Sequence, residues 1–198
     1  MVRMTSQSGE RGFTLSETLV GSALMGIVAL VAMGSTERLL EQSSTRALNQ
    51  VIRGLVGQAA CRAVVARTYV AIAFEEGEGG ANARLYQDGD GDGITREDIG
   101  RGMDRPLGAP VFLHEGRAYL GLPSEVKTDP AGNPLTGQDP IRFGRGSILS
   151  FSPTGTSTPG SLYLRAVSGK EAWAFRVAGI DGRIRTYRWW KGAWAEVK

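Results

Sequence analysis

The amino-acid sequence predicts an α+β fold in which one long N-terminal helix packs against a mainly antiparallel β-sheet. The first observation is that apolar residues recur every three or four positions as far as about Ala66, with no proline before Pro106. The second is that short β-branched and aromatic runs, separated by turn residues, replace this spacing from Thr68 onward. A length of 198 residues allows one globular domain and a short additional element.

The second half of the predicted helix is amphipathic, because its apolar residues form one stripe and most of its charged residues lie outside that stripe. Cys61 lies beside the stripe and is predicted to be a small buried side chain. We expect the stripe to cover one face of the sheet. It comprises Leu40, Leu48, Val51, Ile52, Leu55, Val56, Ala59, Ala60, Ala63 and Val64.

The remainder of the chain is predicted to form strands. A hairpin is expected between Ala109–Leu113 and Arg117–Leu122, with His114–Gly116 as its turn. The proline-rich segment Pro123–Pro140 is predicted to be a loop. The predicted strands are Tyr69–Phe74, Ala83–Gln87, Ala109–Leu113, Arg117–Leu122, Ser147–Ser152, Ser161–Ala166, Ala172–Ala178 and Arg183–Trp190.

The closing strands show which face of the sheet is buried. Trp173, Phe175 and Val177 are spaced by two residues, which places their side chains on one face of a strand. The Asp181-Gly182 pair is a typical hairpin turn and joins the last two predicted strands. We therefore expect an antiparallel sheet with one face packed on the helix.

Composition and charge exclude several classes of protein. The proportions of hydrophobic residues (41%) and charged residues (22%) are those of a globular chain, which excludes disorder throughout. Cys61 is the only cysteine and His114 the only histidine, so an intrachain disulfide and a Cys/His zinc site are both excluded. The net charge of +3 does not favour a dedicated nucleic-acid-binding protein.

No constellation of catalytic residues is evident. Ser157 and Ser161 have no nearby activating base in the sequence, and nucleophilic catalysis requires one within hydrogen-bond reach. No glycine-rich loop with the lysine of a phosphate-binding motif occurs. The sequence therefore does not predict an enzyme.

The N-terminal region contains a candidate membrane span. No charged residue lies between Glu17 and Glu37, and from Phe13 this segment is long enough to cross a bilayer, which requires roughly 20 apolar residues. Arg3 and Arg11 precede the segment and favour a cytoplasmic N-terminus. The segment could be a plain anchor or a cleaved signal peptide, although no small-x-small cleavage site is obvious after it.

The residues around Gly12 support a more specific interpretation. Gly9 to Glu17 read Gly-Glu-Arg-Gly-Phe-Thr-Leu-Ser-Glu, and this resembles the type III signal of prepilins and pseudopilins. The resemblance implies cleavage between Gly12 and Phe13 by a prepilin peptidase, followed by N-methylation of Phe13. It also implies that Glu17, the fifth mature residue, pairs with the Phe13 amine of a neighbouring subunit. A carboxylate near the end of a membrane helix is costly, which is why such residues are usually functional.

This resemblance implies an organisation for the whole chain. Residues 1–12 would be the leader peptide, residues 13–66 the long helix and residues 67–198 a β-rich pilin head. The membrane span would lie at about residues 13–35. The protein would be held in the inner membrane with its N-terminus cytoplasmic and its head periplasmic, and would then enter a pilus or pseudopilus filament.

Three later motifs extend the resemblance to the GspH/FimT family of minor pilins and pseudopilins. They are Leu85–Gly93, Ile148–Gly155 and Gly182–Arg185. The family resemblance implies a type IV pilin-like fold and the function of a minor pilin of a type IV pilus, as a tip or priming subunit. A minor pseudopilin of type II secretion, a DNA-binding minor pilin and a plain anchored envelope domain remain alternatives.

One acidic loop carries the pattern of a calcium site. Asp88, Asp90, Asp92 and Gly93 match the opening of an EF-hand loop, which supplies hard oxygen ligands to calcium. The pattern then departs, because Ile99 occupies the position where a bidentate glutamate is expected, and a shortened loop would use Asp98. The alternative interpretation is a solvated Asp/Gly turn without metal.

The last segment is basic and aromatic. Arg183 and Arg185 resemble the Gly-Arg-x-Arg motif through which some FimT-like minor pilins bind DNA. Arginines could neutralise phosphates, and the aromatic residues among them could stack on bases. The alternative is a closing strand with its arginines in solvent and its tryptophans packed on the sheet.

Overall fold

A computed structural model describes residues 14–77, 80–144 and 146–197, without the side chains of residues 31–35 and 76–77. One 52-residue helix, α1 (Leu15–Ala66), is followed by two antiparallel sheets, so the predicted α+β class is confirmed. α1 ends at the predicted residue. The described part of the chain divides into two compact units, the first reaching to Leu39 and the second beginning at Leu40.

The first sheet has the order β3-β2-β1-β8, and β4 also pairs with β2. All its described pairings are antiparallel. A short helix, α2 (Arg96–Arg101), lies between β2 and β3 in the chain. The strands of this sheet are β1 (Val70–Gly77), β2 (Gly80–Gln87), β3 (Arg105–Pro106), β4 (Val111–Phe112) and β8 (Ile148–Phe151).

The second sheet has the order β12-β11-β10-β9-β6-β5, and β7 also pairs with β9. Its described pairings are antiparallel as well. Its strands are β5 (His114–Glu115), β6 (Ala118–Leu120), β7 (Ile141–Phe143), β9 (Gly160–Ala166), β10 (Glu171–Val177), β11 (Ile184–Trp190) and β12 (Ala193–Val197).

The principal core lies between the second half of α1 and both sheets. The predicted apolar stripe supplies the helix side, with six of its residues buried. Val70, Ile72 and Phe74 of β1 and Trp173, Phe175 and Val177 of β10 belong to the same cluster, as their two-residue spacing predicts. The six helix residues are Leu48, Ile52, Leu55, Val56, Ala59 and Ala63.

Polar contacts fix the position of the helix on the second sheet. Arg53 Nη2 donates to Thr186 Oγ1 at 2.7 Å, and the Thr186 side chain is buried. Ser168 Oγ donates to Glu41 Oε2 at 2.8 Å. The first bond gives the buried Thr186 hydroxyl a partner, and the second lies at the exposed edge of the helix.

The opposite face of each sheet is covered by a loop segment. Ala172 and Ala174 of β10 pack with Leu122 and Val126. Leu122 directly precedes the predicted loop 123–140, and Val126 lies within it. Ala71 and Ala73 of β1 have Ile94 and Ile99 packed against their cluster. Both sheets are therefore buried on two faces, and the acidic loop with α2 is part of the structure that covers the first one.

Two sequence-based predictions are wrong. Val111 and Phe112 pair with Asn82 and Ala83 of β2 rather than with residues 117–122, and His114 and Glu115 pair with β6 instead. The turn of that hairpin is therefore shorter than predicted. Cys61 is exposed rather than buried, because it lies just outside the stripe on the solvent side of α1.

Candidate functional site

Glu17 belongs to a capping box at the start of α1. Its Oε2 accepts hydrogen bonds from the backbone N–H and the Oγ1 hydroxyl of Thr14, both at 2.9 Å. In return, the Glu17 N–H donates to Thr14 Oγ1 at 3.3 Å. The Thr-x-x-Glu spacing explains this reciprocal arrangement. Gly12 and Phe13, the predicted cleavage site, lie outside the described residues.

The first half of α1 presents an apolar surface to its surroundings. Between residues 15 and 30, eight large apolar side chains are each more than half exposed. A surface of this kind on a monomer is unusual and typically marks a contact with another protein or with a membrane. The eight residues are Leu15, Leu19, Val20, Leu24, Met25, Ile27, Val28 and Leu30.

The structure does not confirm the predicted membrane span. Within the described part of the chain, no helix combines the length and the apolar character that crossing a bilayer requires. The predicted span at residues 13–35 therefore stays a prediction.

The acidic loop is organised around Asp88, whose side chain is buried. Its Oδ1 accepts the backbone N–H groups of Asp90 at 3.2 Å and Gly91 at 2.8 Å, and its Oδ2 accepts that of Gly93 at 3.2 Å. An aspartate that binds successive backbone amides in this way fixes a tight turn. The loop is thus held in one shape by its first residue.

Asp104, which the sequence pattern did not include, lies against this turn. Its side chain is 1% exposed; its Oδ2 accepts the Thr95 N–H at 3.3 Å, while its Oδ1 has no hydrogen-bond partner. Candidate ligand oxygens of Asp88, Asp90 and Asp104 all lie within 4.8 Å of one another. Burial raises the pKa of Asp104, and repulsion from Asp88 adds to this, while the Thr95 and Gly89 amides that face the carboxylate oppose it.

The other two predicted calcium ligands have different surroundings. Asp98 lies in the first turn of α2: its backbone N–H donates to Oγ1 of the N-cap residue Thr95 at 3.2 Å, and that hydroxyl donates to the Asp98 carboxylate. Asp92 is exposed, and a hydrogen bond and repulsion from Asp90 raise the pKa of its carboxyl group. The carboxylates whose oxygens all lie within 4.8 Å of one another are therefore those of Asp88, Asp90 and Asp104, while Asp92 contacts Asp90 from the solvent side.

Arg183 and Arg185 line one surface groove. Arg176 lies directly opposite Arg185 in the β10–β11 pairing and lines the same groove, as does Tyr187. Arg183 pairs with Asp181 at 3.2 Å, whereas the Arg185 side chain forms no ion pair or hydrogen bond with any residue that the structure describes. Arg176 lies 4.0 Å from Asp129, so Arg185 is the arginine of this groove whose charge no described acidic side chain balances.

The C-terminal tryptophans serve mainly in packing. Trp189 is buried in the cluster on the outer face of the second sheet, and Trp194 packs against it. Trp194 Nε1 also donates to the Thr128 carbonyl at 2.8 Å, which ties β12 to the covering loop. Trp190 is the exception, with 46% of its surface exposed. Among these aromatic residues, packing therefore accounts for Trp189 and Trp194.

Comparison with known protein families gives one match. Residues 7–33 match the family described as the prokaryotic N-terminal methylation motif, which covers the predicted cleavage site, Glu17 and the exposed apolar part of α1. No curated protein and no solved structure matches the chain.

The matched motif and the fold together define a class of protein. The motif supports a type IV pilin-like or pseudopilin subunit, and the long helix followed by antiparallel sheets is consistent with a pilin-like fold. Proteins with this motif are processed by a prepilin peptidase and assemble with other pilins. The signal therefore points to a structural subunit rather than to an enzyme.

Proposed function

We propose that this protein is a minor pilin of the GspH/FimT type that assembles into a type IV pilus as a tip or priming subunit. The observation that carries the proposal is the methylation motif at residues 7–33, which continues directly into an exposed apolar helix. A minor pseudopilin of type II secretion is the alternative, since it would use the same helix and the same processing.

The physical argument concerns what covers that helix. Each exposed leucine or valine that is moved out of water contributes about 1.5–3 kcal/mol when fully buried. The inner membrane would cover these side chains first, with the span at about residues 13–35, and neighbouring pilin helices would cover them in the filament. The head, beginning near residue 67, would remain in the periplasm or on the filament surface.

The proposal predicts a specific N-terminus. Mass spectrometry of sheared pili and of the remaining membranes should detect a peptide that begins at Phe13 with one added methyl group. Its presence in the pili supports a type IV pilus subunit, and its presence in membranes alone favours the secretion pseudopilin. An uncleaved chain in both fractions would contradict the proposal and favour a plain anchored envelope domain.

The arginine groove supports a second candidate function, the binding of DNA. Arg176, Arg183 and Arg185 line one groove beside Tyr187, and the Arg185 side chain has no hydrogen-bond or ion-pair partner among the described residues. Arginines of this kind neutralise phosphates, and an aromatic ring beside them can stack on an unpaired base. The net charge of the whole chain is only +3, so long-range attraction adds little to any contacts made in this groove.

DNA binding has a direct test in a double variant. Arg183→Ala combined with Arg185→Ala should weaken binding of a DNA duplex at least about tenfold at low salt and reduce its salt dependence by roughly two phosphate contacts. Arg101→Ala combined with Arg105→Ala makes the same charge change outside the groove and should leave affinity within about threefold. Equal losses in the two double variants would show that only net charge matters and would remove this function.

A further inference from the structure

Two buried carboxylates lie together in the head without a basic partner. Asp88 is 7% exposed and Asp104 is 1% exposed, and neither forms an ion pair with any lysine or arginine in the described residues. A buried charge that is not compensated is strongly unfavourable. Backbone amides bind both carboxylates, but no described lysine or arginine balances their charge.

Each of these carboxylates has lone-pair positions that no hydrogen-bond donor of the protein fills. An ionised carboxylate has about four lone-pair positions, and three of those on Asp88 are filled by backbone amides. One position on Asp88 therefore remains, while Oδ1 of the buried Asp104 has no hydrogen-bond partner at all. Asp90 is exposed and adds a third carboxylate at the solvent side of the cluster.

The spacing of the three carboxylates suits a calcium ion. Oxygens that bind one calcium ion at about 2.4 Å can be no more than about 4.8 Å apart. Candidate oxygens of Asp88, Asp90 and Asp104 satisfy this limit, since all lie within 4.8 Å of one another. We propose that these three residues bind a calcium ion at the junction of the acidic loop and the segment that follows α2.

The ligand chemistry favours calcium over other common metals. All three ligands are hard carboxylate oxygens, which do not favour zinc or copper. Magnesium demands near-ideal octahedral geometry, whereas calcium accepts irregular sets of six to eight oxygens, completed here by water. A turn fixed by its own backbone amides has little freedom to adjust to the stricter geometry.

Bound calcium would link the two ends of the segment that connects β2 to β3. Asp88 follows directly after β2, and Asp104 directly precedes β3. The two ends already approach closely at Gly89, where a Cβ atom would lie 2.1 Å from the Met103 carbonyl oxygen. The ion would hold together the segment that covers one face of the first sheet, independently of filament assembly.

The test uses the full chain purified in detergent and freed of metal with a chelator. Titration calorimetry with calcium chloride should give a dissociation constant of about 10⁻⁴–10⁻³ M, the range of extracellular calcium modules. Calcium at about a hundredfold excess over that constant should raise the unfolding temperature by about 5–10 °C. Magnesium at the same concentration should raise it clearly less, and equal effects of the two ions would overturn the proposal.

Three matched variants distinguish the proposed ligands from general acidity. Asp90→Asn and Asp104→Asn should each weaken calcium binding about tenfold or more, because each removes one charged ligand. Glu97→Gln makes the same charge change at an exposed residue of α2 that pairs with Arg101, and it should change affinity by less than about threefold. The proposal is overturned if Glu97→Gln abolishes binding while Asp104→Asn retains it, or if the wild-type chain shows no calcium response.

A folding defect in a variant does not remove the test. In the presence of chelator, Asp104→Asn should unfold at or above the wild-type temperature, because it removes a buried negative charge that has no basic partner. Asp90 is exposed, so Asp90→Asn decides the outcome if Asp104→Asn fails to fold. Unchanged calcium affinity in a folded Asp90→Asn variant would contradict the proposed ligand set.

Discussion

Replacing Glu17 with alanine is expected to remove the chain from assembled filaments while its head stays folded. In the proposed filament, the Glu17 carboxylate neutralises the Phe13 amine of a neighbouring subunit within an apolar environment. Leaving that amine buried and unpaired would cost about 3–5 kcal/mol. Since about 1.4 kcal/mol corresponds to a factor of ten, incorporation should fall by more than a hundredfold. The measurement is an immunoblot of the sheared filament fraction against the membrane fraction.

The capping box gives Glu17 a second role that this experiment must separate from the first. Glu17→Gln keeps a side chain that can cap the helix, but it removes the negative charge. Thr14→Ala removes the two side-chain hydrogen bonds of the box and keeps the charge. If charge pairing directs assembly, Glu17→Gln should behave like Glu17→Ala, and Thr14→Ala should incorporate almost normally. The reverse order would contradict the charge-pairing mechanism and assign the effect to the helix end.

The head should not respond to any of these changes. Glu17 lies in the compact unit that reaches to Leu39, whereas the core residues of the head begin at Leu48. The capping bonds are local and exposed, so their loss costs about 0.5–2 kcal/mol of helix stability at most. Unfolding of the head at an unchanged temperature is therefore the control for each Glu17 and Thr14 variant.

The helix and its buried face could be predicted because they depend on local pattern. A stripe with steps of three and four residues defines which side of α1 is buried, whatever it packs against. Leu48, Ile52 and Ala59 are buried as this spacing predicts. The same spacing does not decide whether a residue at the edge of the stripe is buried. Cys61, one position beyond Ala60, is exposed.

The pairing of the short strands could not be predicted, because it depends on partners distant in sequence. Val111 and Phe112 are compatible with a local hairpin, yet they pair with β2, some 30 residues earlier in the chain. Helix α2 is different, because a threonine N-cap such as Thr95 is a local signal that the sequence does contain, although no helix was predicted there. β12 was also missed, although the Lys191-Gly192 turn before it is a recognisable signal.

The candidate calcium site shows the same division between local and distant information. Asp88 and Asp90 follow an alternating pattern that sequence alone can identify. Asp104 carries no such signal, because α2 and its left-handed glycine cap at Gly102 turn the chain back toward the loop. The last turn of α2 is thus what brings Asp104 against Asp88. A ligand that lies beside the loop only because the chain turns back cannot be identified without knowledge of the fold.

The largest expected loss of stability follows truncation of Phe175 to alanine. Phe175 is 1% exposed, lies opposite Leu162 on β9, and belongs to the cluster that joins α1 to both sheets. Removing its ring should lower the free energy of unfolding by about 3–5 kcal/mol, which combines lost burial with the cavity left behind. Urea unfolding followed by tryptophan fluorescence suits this measurement, because all four tryptophans lie in β10, β11 and β12.

Phe112→Ala provides the matched control for that loss. Phe112 is 62% exposed, so the same substitution there should change the free energy of unfolding by no more than about 0.5 kcal/mol. Phe175→Leu keeps most of the buried volume and should cost less than about 1.5 kcal/mol. This ordering follows only if the helix and the second sheet share one packed core. Comparable effects of Phe175→Ala and Phe112→Ala would therefore contradict the packing of β10 against α1, and with it the pilin-like arrangement of the head.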